Sequence, residues 1–146
     1  MQCPVAVEQY GYTWYHSHFA TQAWNGVFGG ILINGPCSAL YDEDKGVLFL
    51  NDWFHNTTGA LRGTASAGSP PVAQNSLINR TNVHSDSGQR FETTFVAGKR
   101  HQIRLINGAI DTHYKFMIEN NRMKVIAVDL VPIKPYTTDL LSVGIG

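Results

Sequence analysis

The chain lacks an excess of charge of either sign, long apolar runs and any basic cluster. Its 146 residues carry 11 Lys+Arg against 11 Asp+Glu, and charged residues make up only 15% of the total. Nothing here neutralises a phosphate backbone or docks on an anionic lipid surface, which argues against nucleic-acid and membrane roles. The longest apolar runs, such as Val47 to Leu50, fall far short of the roughly 20 residues that a spanning helix needs. We therefore predict a soluble chain of one domain, or of one domain and part of another.

Cysteine is also scarce, and the chain begins without a recognisable leader. Cys3 and Cys37 form no CxxC pair, which argues against a thiolate zinc site. They pair with each other, pair with cysteines absent from this chain, or stay free. No charged leader precedes an apolar stretch, so no signal peptide is expected within these residues. The triplets that begin at Asn56 and Asn79 nevertheless fit the N-glycosylation pattern and point outside the cell.

The hydrophobic pattern predicts an all-β protein, an antiparallel sandwich of short strands. Apolar and polar residues alternate with period two, turn signals separate the runs at short intervals, and no segment sustains a 3.6-residue apolar period. A long Gly-, Ser- and Pro-rich segment from Thr57 to Asn75 is typical of a loop. The predicted strands are Gly11 to His16, Val27 to Ile33, Gly46 to Trp53, Arg90 to Val96, His101 to Ile106, His113 to Glu119 and Met123 to Val131.

A strand ends at a Gly-Pro turn near Asn34 to Cys37, which we take as a domain boundary. Residues 1–36 are then the C-terminal part of a first β-domain, 37–42 a linker, and 43–146 most of a second β-domain.

Two histidines one residue apart, His16 and His18, are the most informative feature of the sequence. On a strand, alternate residues point to the same face, with Cα atoms about 7 Å apart. Two imidazoles that face one space suit a single metal ion or two adjacent ones. The competing interpretation of a bare HxH is one buried, hydrogen-bonded histidine and one in a loop.

The surrounding residues resemble the second copper motif of fungal laccases, and most closely that of the ascomycete branch of these multicopper oxidases. The resemblance covers nearly the whole chain. The resemblance implies the family fold, a cupredoxin-like (plastocyanin-like) Greek-key β-sandwich. The later part of the chain looks like the family's second cupredoxin domain. The matching segments are Gln2 to Pro4, Tyr10 to Phe19, Asn25 to Gly30, Asn34 to Pro36, Leu77 to Asn79, Gly98 to Asn107 and Val125 to Pro132.

The resemblance implies that His16 and His18 each bind one copper of the type 3 pair, within the trinuclear centre where dioxygen is reduced to water. It also implies a secreted, glycosylated enzyme that oxidises phenolic substrates, as in lignin degradation. Trp14 and Tyr15 would help exclude water and fix ring orientation. Two further polar residues, Gln22 and Asn25, would support the ligands, or would simply hydrogen-bond the local backbone.

Departures from the family pattern predict an incomplete oxidase. No HWH motif precedes His16, so the histidines of that motif are absent. Neither cysteine is flanked by histidine, so the type 1 copper site is missing. We expect a fragment or an incomplete gene model, inactive as an oxidase by itself and dependent on the remaining cupredoxin domains. In the family, a cysteine at the position of Cys3 forms a disulfide with a distant cysteine, which here would lie outside this chain.

The remaining acidic residues and histidines match no ligand motif. The stretch Asp42 to Asp44 lacks the spacing of a calcium loop and is expected to be a solvated turn. For Asp129, on a predicted strand, a role at the phenol pocket and a buried, hydrogen-bonded carboxylate are the two interpretations. The histidines expected to be structural or solvated are His55, His84, His101 and His113.

Two other functions compete with the oxidase interpretation. One is a non-catalytic β-sandwich module that binds a single copper or zinc ion weakly through His16 and His18. The other is an inert truncated product, because an unfinished sandwich exposes strand edges and apolar faces.

Overall fold

The computed structural model describes residues 6–68 and 71–145, and these residues confirm the all-β prediction. They form eleven strands, one α-helix and a short 3-10 turn. The strands are β1 (Gly11–His16), β2 (Phe28–Ile33), β3 (Glu43–Trp53), β4 (Asn75–Ile78), β5 (Val83–His84), β6 (Ser87–Gly88), β7 (His101–Asn107), β8 (Tyr114–Phe116), β9 (Met123–Val128), β10 (Val131–Thr138) and β11 (Leu141–Val143), and the helix α1 spans Thr58–Ser66.

An antiparallel hairpin of β1 and β2 carries the two-histidine motif. Its register places Tyr15 opposite Gly29 and Trp14 opposite Gly30, so each large aromatic residue lies across from a residue without a side chain. A Cβ at Gly29 would lie only 2.6 Å from the Tyr15 hydroxyl oxygen. Gly29 therefore provides the space that the Tyr15 side chain occupies, whereas a Cβ at Gly30 would contact Phe49 of β3 at 3.5 Å.

A three-stranded sheet in the order β4-β3-β7 forms the centre of the second part of the chain. Leu48 and Leu50 of β3 and Ile106 of β7 are buried there. Burial of each such side chain stabilises the fold by about 1.5–3 kcal/mol. The apolar side chains of β3 and β7 thus form part of the core.

Strand β3 pairs with β4 in antiparallel orientation but with β7 in parallel orientation. The expectation of a wholly antiparallel sandwich was therefore wrong for this pair. Short spacing between strands predicts the pairing only of strands that are neighbours in sequence. Strands β3 and β7 are separated by a long stretch of chain, and parallel pairs require such a long connection.

The acidic stretch at the start of β3 binds basic residues at the start of β7. Arg100 donates to Asp42 from its backbone N–H and its guanidinium, and these bonds lower the pKa of Asp42 from its ordinary 3.8 to about 2. Arg104 donates to Asp44 and lowers the pKa of that carboxyl group as well. Glu43 and Asp44 belong to β3 itself, so the predicted solvated turn is in fact an ion-paired strand start.

Helix α1 corrects the prediction of a long loop from Thr57 to Asn75. Thr57 caps the helix, because its side chain accepts a hydrogen bond from the backbone N–H of Ala60 at 3.3 Å. Two glycines within the helix lower its helix propensity, so the sequence pattern did not indicate a helix.

Among the described residues, no helix has the length and apolar character needed to cross a membrane.

The segment from Arg90 to Val96 is irregular, so the strand predicted there was wrong. The backbone N–H of Val96 donates to the ring nitrogen Nε2 of His101 at 3.2 Å instead of to a neighbouring strand. Phe95 remains 40% exposed. Alternation alone does not make a strand when no partner supplies the hydrogen bonds.

Three more antiparallel pairs complete the described fold: β5 with β6, β8 with β11, and β9 with β10. The single strand predicted from Met123 to Val131 is divided by a turn at Asp129, which has a left-handed φ of 52°. Asp129 is exposed, so the interpretation as a buried carboxylate was wrong.

Candidate metal centre

His16 and His18 come together at the end of β1. His16 is the last residue of the strand, pairs with Phe28 and is half-buried, while His18 lies just beyond the strand and is exposed. A hydrogen bond from the backbone N–H of Ser17 to the carbonyl oxygen of Val27, 3.0 Å long, extends the pairing by one residue. The two ring centroids are 4.5 Å apart, with an angle of 32° between the ring planes.

Trp14 lies against the His16 ring on the other side from His18. The Trp14 and His16 centroids are 4.4 Å apart and the rings are stacked, with 29° between their planes. Trp14 in turn contacts Phe28 and Phe49 edge-on, with centroid separations of 6.2 and 6.3 Å. Such aromatic contacts limit the orientations open to the His16 ring.

Tyr15 points away from this cluster, as the alternation of a strand requires. Its side chain is 57% exposed and lies over Gly29. It therefore does not cover the two imidazoles within this chain.

The two polar residues singled out from the sequence have different partners. The Ser17 hydroxyl donates to Gln22 Oε1 at 2.9 Å and accepts from the backbone N–H of Phe19 at 3.1 Å, so Gln22 helps order the segment that carries both histidines. Asn25 instead accepts two hydrogen bonds from Thr58, at the start of α1.

The donor chemistry of this pair suits copper. Nδ1 of His16 lies 3.4 Å from the carbonyl oxygen of Ser17. In the tautomer that donates a proton to this oxygen, Nε2 keeps its lone pair for a metal. Residues 6–68 and 71–145 contain no group of three or more His, Cys, Asp or Glu side chains that would hold a metal ion. The described part of the chain thus brings two imidazoles together here, without a third such side chain beside them.

The structure also juxtaposes two histidines that the sequence treats as unrelated. The rings of His55 and His84 have centroids 4.0 Å apart, with 38° between their planes. No spacing rule in the sequence connects these two positions, because His55 follows β3, His84 ends β5, and the two meet only in the folded chain.

The remaining two histidines lie apart from any ligand cluster. His101 is half-buried, and its Nε2 accepts from Val96 and lies 3.5 Å from a carboxylate oxygen of Glu43. His113 is exposed.

The two N-glycosylation triplets differ in their structural setting. Asn56 is exposed, whereas the Asn79 side chain is hydrogen-bonded to β3 by both of its polar atoms. Of the cysteines, Cys37 is exposed and free. Cys3, with its disulfide predicted to a residue outside this chain, lies outside the described residues.

Comparison with known proteins identifies the family. Two family models, both described as multicopper oxidase, match residues 44–146 and 2–38. Laccase-2 of Botryotinia fuckeliana is 47% identical, and the match covers 99% of this chain and 28% of the relative. The laccase of Neurospora crassa is 41% identical over 94% of this chain and 23% of the relative.

Solved structures agree with the sequence relatives. The crystal structure of the laccase from Botrytis aclada matches with a TM-score of 0.92 and 50% identity, over 94% of this chain and 28% of that one. Fet3p, a multicopper oxidase that functions in iron import, matches with a TM-score of 0.79 and 25% identity, over 94% of this chain and 26% of that one. The chain thus spans less than a third of the length of these relatives. On this evidence the chain belongs to the multicopper oxidase family and has the cupredoxin-like β fold of fungal laccases.

Proposed function

We propose that this chain supplies His16 and His18 to the type 3 copper pair of a laccase-type oxidase. The observation that carries the proposal is the approach of the two imidazoles to 4.5 Å at the end of β1, with Trp14 stacked on one of them. The rings are held side by side by the strand, the aromatic cluster and the Ser17–Gln22 hydrogen bond. Ring positions that are fixed before the metal arrives favour binding.

The domain division belongs to the same proposal. Residues 1–36 form the C-terminal part of a first cupredoxin domain, 37–42 a linker, and 43–146 most of a second domain. The boundaries of the two family-model matches support this division. Because neither cysteine is flanked by histidine, we assign the type 1 copper, and the ligands that complete the type 2 and type 3 sites, to the remaining cupredoxin domains.

The copper centre would couple one-electron oxidation of phenolic or aromatic amine substrates to four-electron reduction of dioxygen to water. Within that reaction, His16 and His18 offer imidazole nitrogens, Trp14 orients the first ring, and Gln22 orders the loop between them through Ser17. We further propose that the whole enzyme is secreted and glycosylated, as the exposed N-glycosylation triplet at Asn56 supports.

A chimera tests the proposal directly. Residues 6–145 would replace the matching segment of Laccase-2 from Botryotinia fuckeliana, which is 47% identical. We expect the chimera to oxidise a phenolic dye, and we expect His16→Ala and His18→Ala each to abolish that activity while the type 1 blue colour remains. His113→Ala, which alters an exposed histidine, is the matched control. Full activity of the His16→Ala and His18→Ala chimeras would refute the assignment.

A second candidate function is a non-catalytic module that binds one copper or zinc ion weakly. It is favoured by the observation that the described residues offer only two clustered ligands at the end of β1. Both candidates predict that the isolated chain, loaded with copper, is colourless near about 600 nm, because blue colour needs a cysteine-ligated type 1 copper. An inactive chimera that folds and retains its type 1 copper would favour the module over the oxidase.

A further inference from the structure

His55 and His84 form a second pair of adjacent imidazoles, apart from the pair at the end of β1. Their ring centroids are 4.0 Å apart, closer than those of His16 and His18. Both residues are exposed. An exposed histidine ring has its nitrogens open to solvent and to ions, so the pair is accessible without any rearrangement of the core.

Two consecutive residues hold the backbones of these histidines in place. The backbone N–H of His55, just after β3, donates to Gln74 Oε1 at 3.1 Å. The side chain of Asn75 donates from Nδ2 to the carbonyl oxygen of Val83, the residue before His84, at 3.0 Å. The two histidines are therefore attached to adjacent positions of a single segment, which fixes their separation.

The hairpin that carries His84 is itself well ordered by hydrogen bonds. His84 pairs with Ser87 across β5 and β6, and the Ser87 hydroxyl donates to the His84 carbonyl oxygen at 3.1 Å. Asn82 donates from its side chain to Asn75 Oδ1 at 2.7 Å, which connects the start of the hairpin to β4. The backbone position of His84 is thus determined by the hydrogen bonds of the hairpin.

The rings line a cleft of about 540 Å³ with room for a hydrated ion. Asp52 also lines the cleft, but it accepts hydrogen bonds from the Ile110 backbone and the Thr112 hydroxyl, so it is not a free ligand. The Arg80 guanidinium lies over the Phe28 ring, 5.6 Å from its centroid. An ion between the histidines would take two protein nitrogens and complete its coordination with water.

We propose that His55 and His84 form a two-imidazole site for a divalent transition-metal ion such as Cu²⁺ or Zn²⁺. Neutral imidazole is a preferred ligand of these ions, and Cu²⁺ binds such ligands more tightly than the other divalent ions of its row. The nearby positive charge of Arg80 opposes the binding of a cation. The site is therefore one of moderate affinity, independent of the copper ligands at the end of β1.

Zinc titration of the whole chain, followed by NMR of the ¹⁵N-labelled histidine rings, tests the proposal. Zn²⁺ is diamagnetic, and each ring gives its own signals, so this site and the His16–His18 pair are observed separately. We expect the His55 and His84 ring signals to move together along one shared single-site binding curve. His113 provides an internal control, since its exposed ring should not move with them.

Two variants make the result decisive. In His84→Asn we expect the zinc affinity reported by the His55 ring to fall by about tenfold or more, since even loss of an outer-shell partner costs 10–100-fold. His55→Asn should produce the same loss at His84, and an unchanged backbone amide spectrum shows that either variant is folded. The proposal is overturned if His55 responds to zinc with unchanged midpoint in His84→Asn, or if neither ring responds at millimolar zinc.

Discussion

Asn25 accepts two hydrogen bonds from Thr58, one from its backbone N–H and one from its hydroxyl, each 3.1 Å long. Thr58 is buried, and its hydroxyl also lies 3.2 Å from the carbonyl oxygen of Thr21. These bonds connect the turn that follows the two-histidine motif to the first turn of α1. A residue that the sequence suggested as support for a metal ligand thus joins two elements of the fold.

Replacement of Asn25 by Ala is expected to lower the free energy of unfolding by about 1–2 kcal/mol, because it leaves the backbone N–H of Thr58 without an acceptor and its hydroxyl with only the Thr21 carbonyl oxygen. Urea denaturation of the whole chain measures the change. Thr58→Val keeps the volume and removes the hydroxyl, so a double-mutant cycle isolates the side-chain bond. Strictly additive effects of the two substitutions would contradict a direct interaction.

Asp52 is expected to be the most sensitive carboxylate in the described chain. It is 8% exposed and accepts from the backbone N–H groups of Ile110 and Asp111, at 2.9 and 3.3 Å, and from the Thr112 hydroxyl at 3.1 Å. Asp52→Ala leaves these donors unpaired and should cost about 3 kcal/mol in thermal or urea unfolding.

Asp139 supplies the control for this substitution. Its ion pair with Arg122 has both side chains at least 70% exposed, and exposed pairs contribute at most about 1 kcal/mol. Equal destabilisation by Asp139→Ala and Asp52→Ala would show that burial and backbone bonding do not set the difference.

The ion pair between Asp42 and Arg100 should make stability depend on pH in the acid range. The folded pKa of Asp42, about 2, lies below its ordinary value of 3.8 because Arg100 hydrogen-bonds the carboxylate. A carboxyl group with a depressed folded pKa stabilises the fold fully above its ordinary pKa. That contribution is lost as the pH falls through the folded value.

We therefore expect Asp42→Asn to lower the urea midpoint at neutral pH, and we expect the difference from the unsubstituted chain to shrink below about pH 4 and vanish near pH 2. Parallel urea titrations across this range measure it. A difference that stays constant at every pH would rule out ionisation of Asp42 as its cause.

Of the two N-glycosylation triplets, the structure favours modification at Asn56. Asn79 accepts from the backbone N–H of Phe49 at 2.8 Å and donates from Nδ2 to the carbonyl oxygen of Val47 at 3.1 Å, so a sugar on Nδ2 would disturb the edge of β3. Expression through a secretory host, followed by peptide mass spectrometry, should find a glycan at Asn56 and none at Asn79.

Asn56→Gln should then remove the glycan-dependent shift in electrophoretic mobility, while Thr81→Ala, which destroys only the second triplet, should leave it unchanged. A glycan found at Asn79 in folded, secreted protein would contradict this prediction.

Local patterns in the sequence were sufficient for some of the strands, such as β1, β2 and β7, and for the first histidine pair. A run rich in aromatic and β-branched residues between turn signals predicted β1. Alternation with period two predicted β7, because the faces of a strand follow from backbone geometry alone. The same rule explains why Trp14 and His16 share one face of β1 and Tyr15 lies on the other, although both Trp14 and Tyr15 were expected to shield the imidazoles. The proximity of His16 and His18 could likewise be predicted, because the two residues are only two positions apart in the sequence.

Only the tertiary structure decided the relationships between distant segments. It made β3 and β7 parallel, left Arg90 to Val96 without a strand partner, and brought His55 to His84 through the adjacent anchors at positions 74 and 75. Such contacts depend on which backbone groups and side chains meet after the chain has folded back on itself. Residue periodicity records the face on which a side chain lies, whereas long-range hydrogen bonding and packing determine what lies opposite that face.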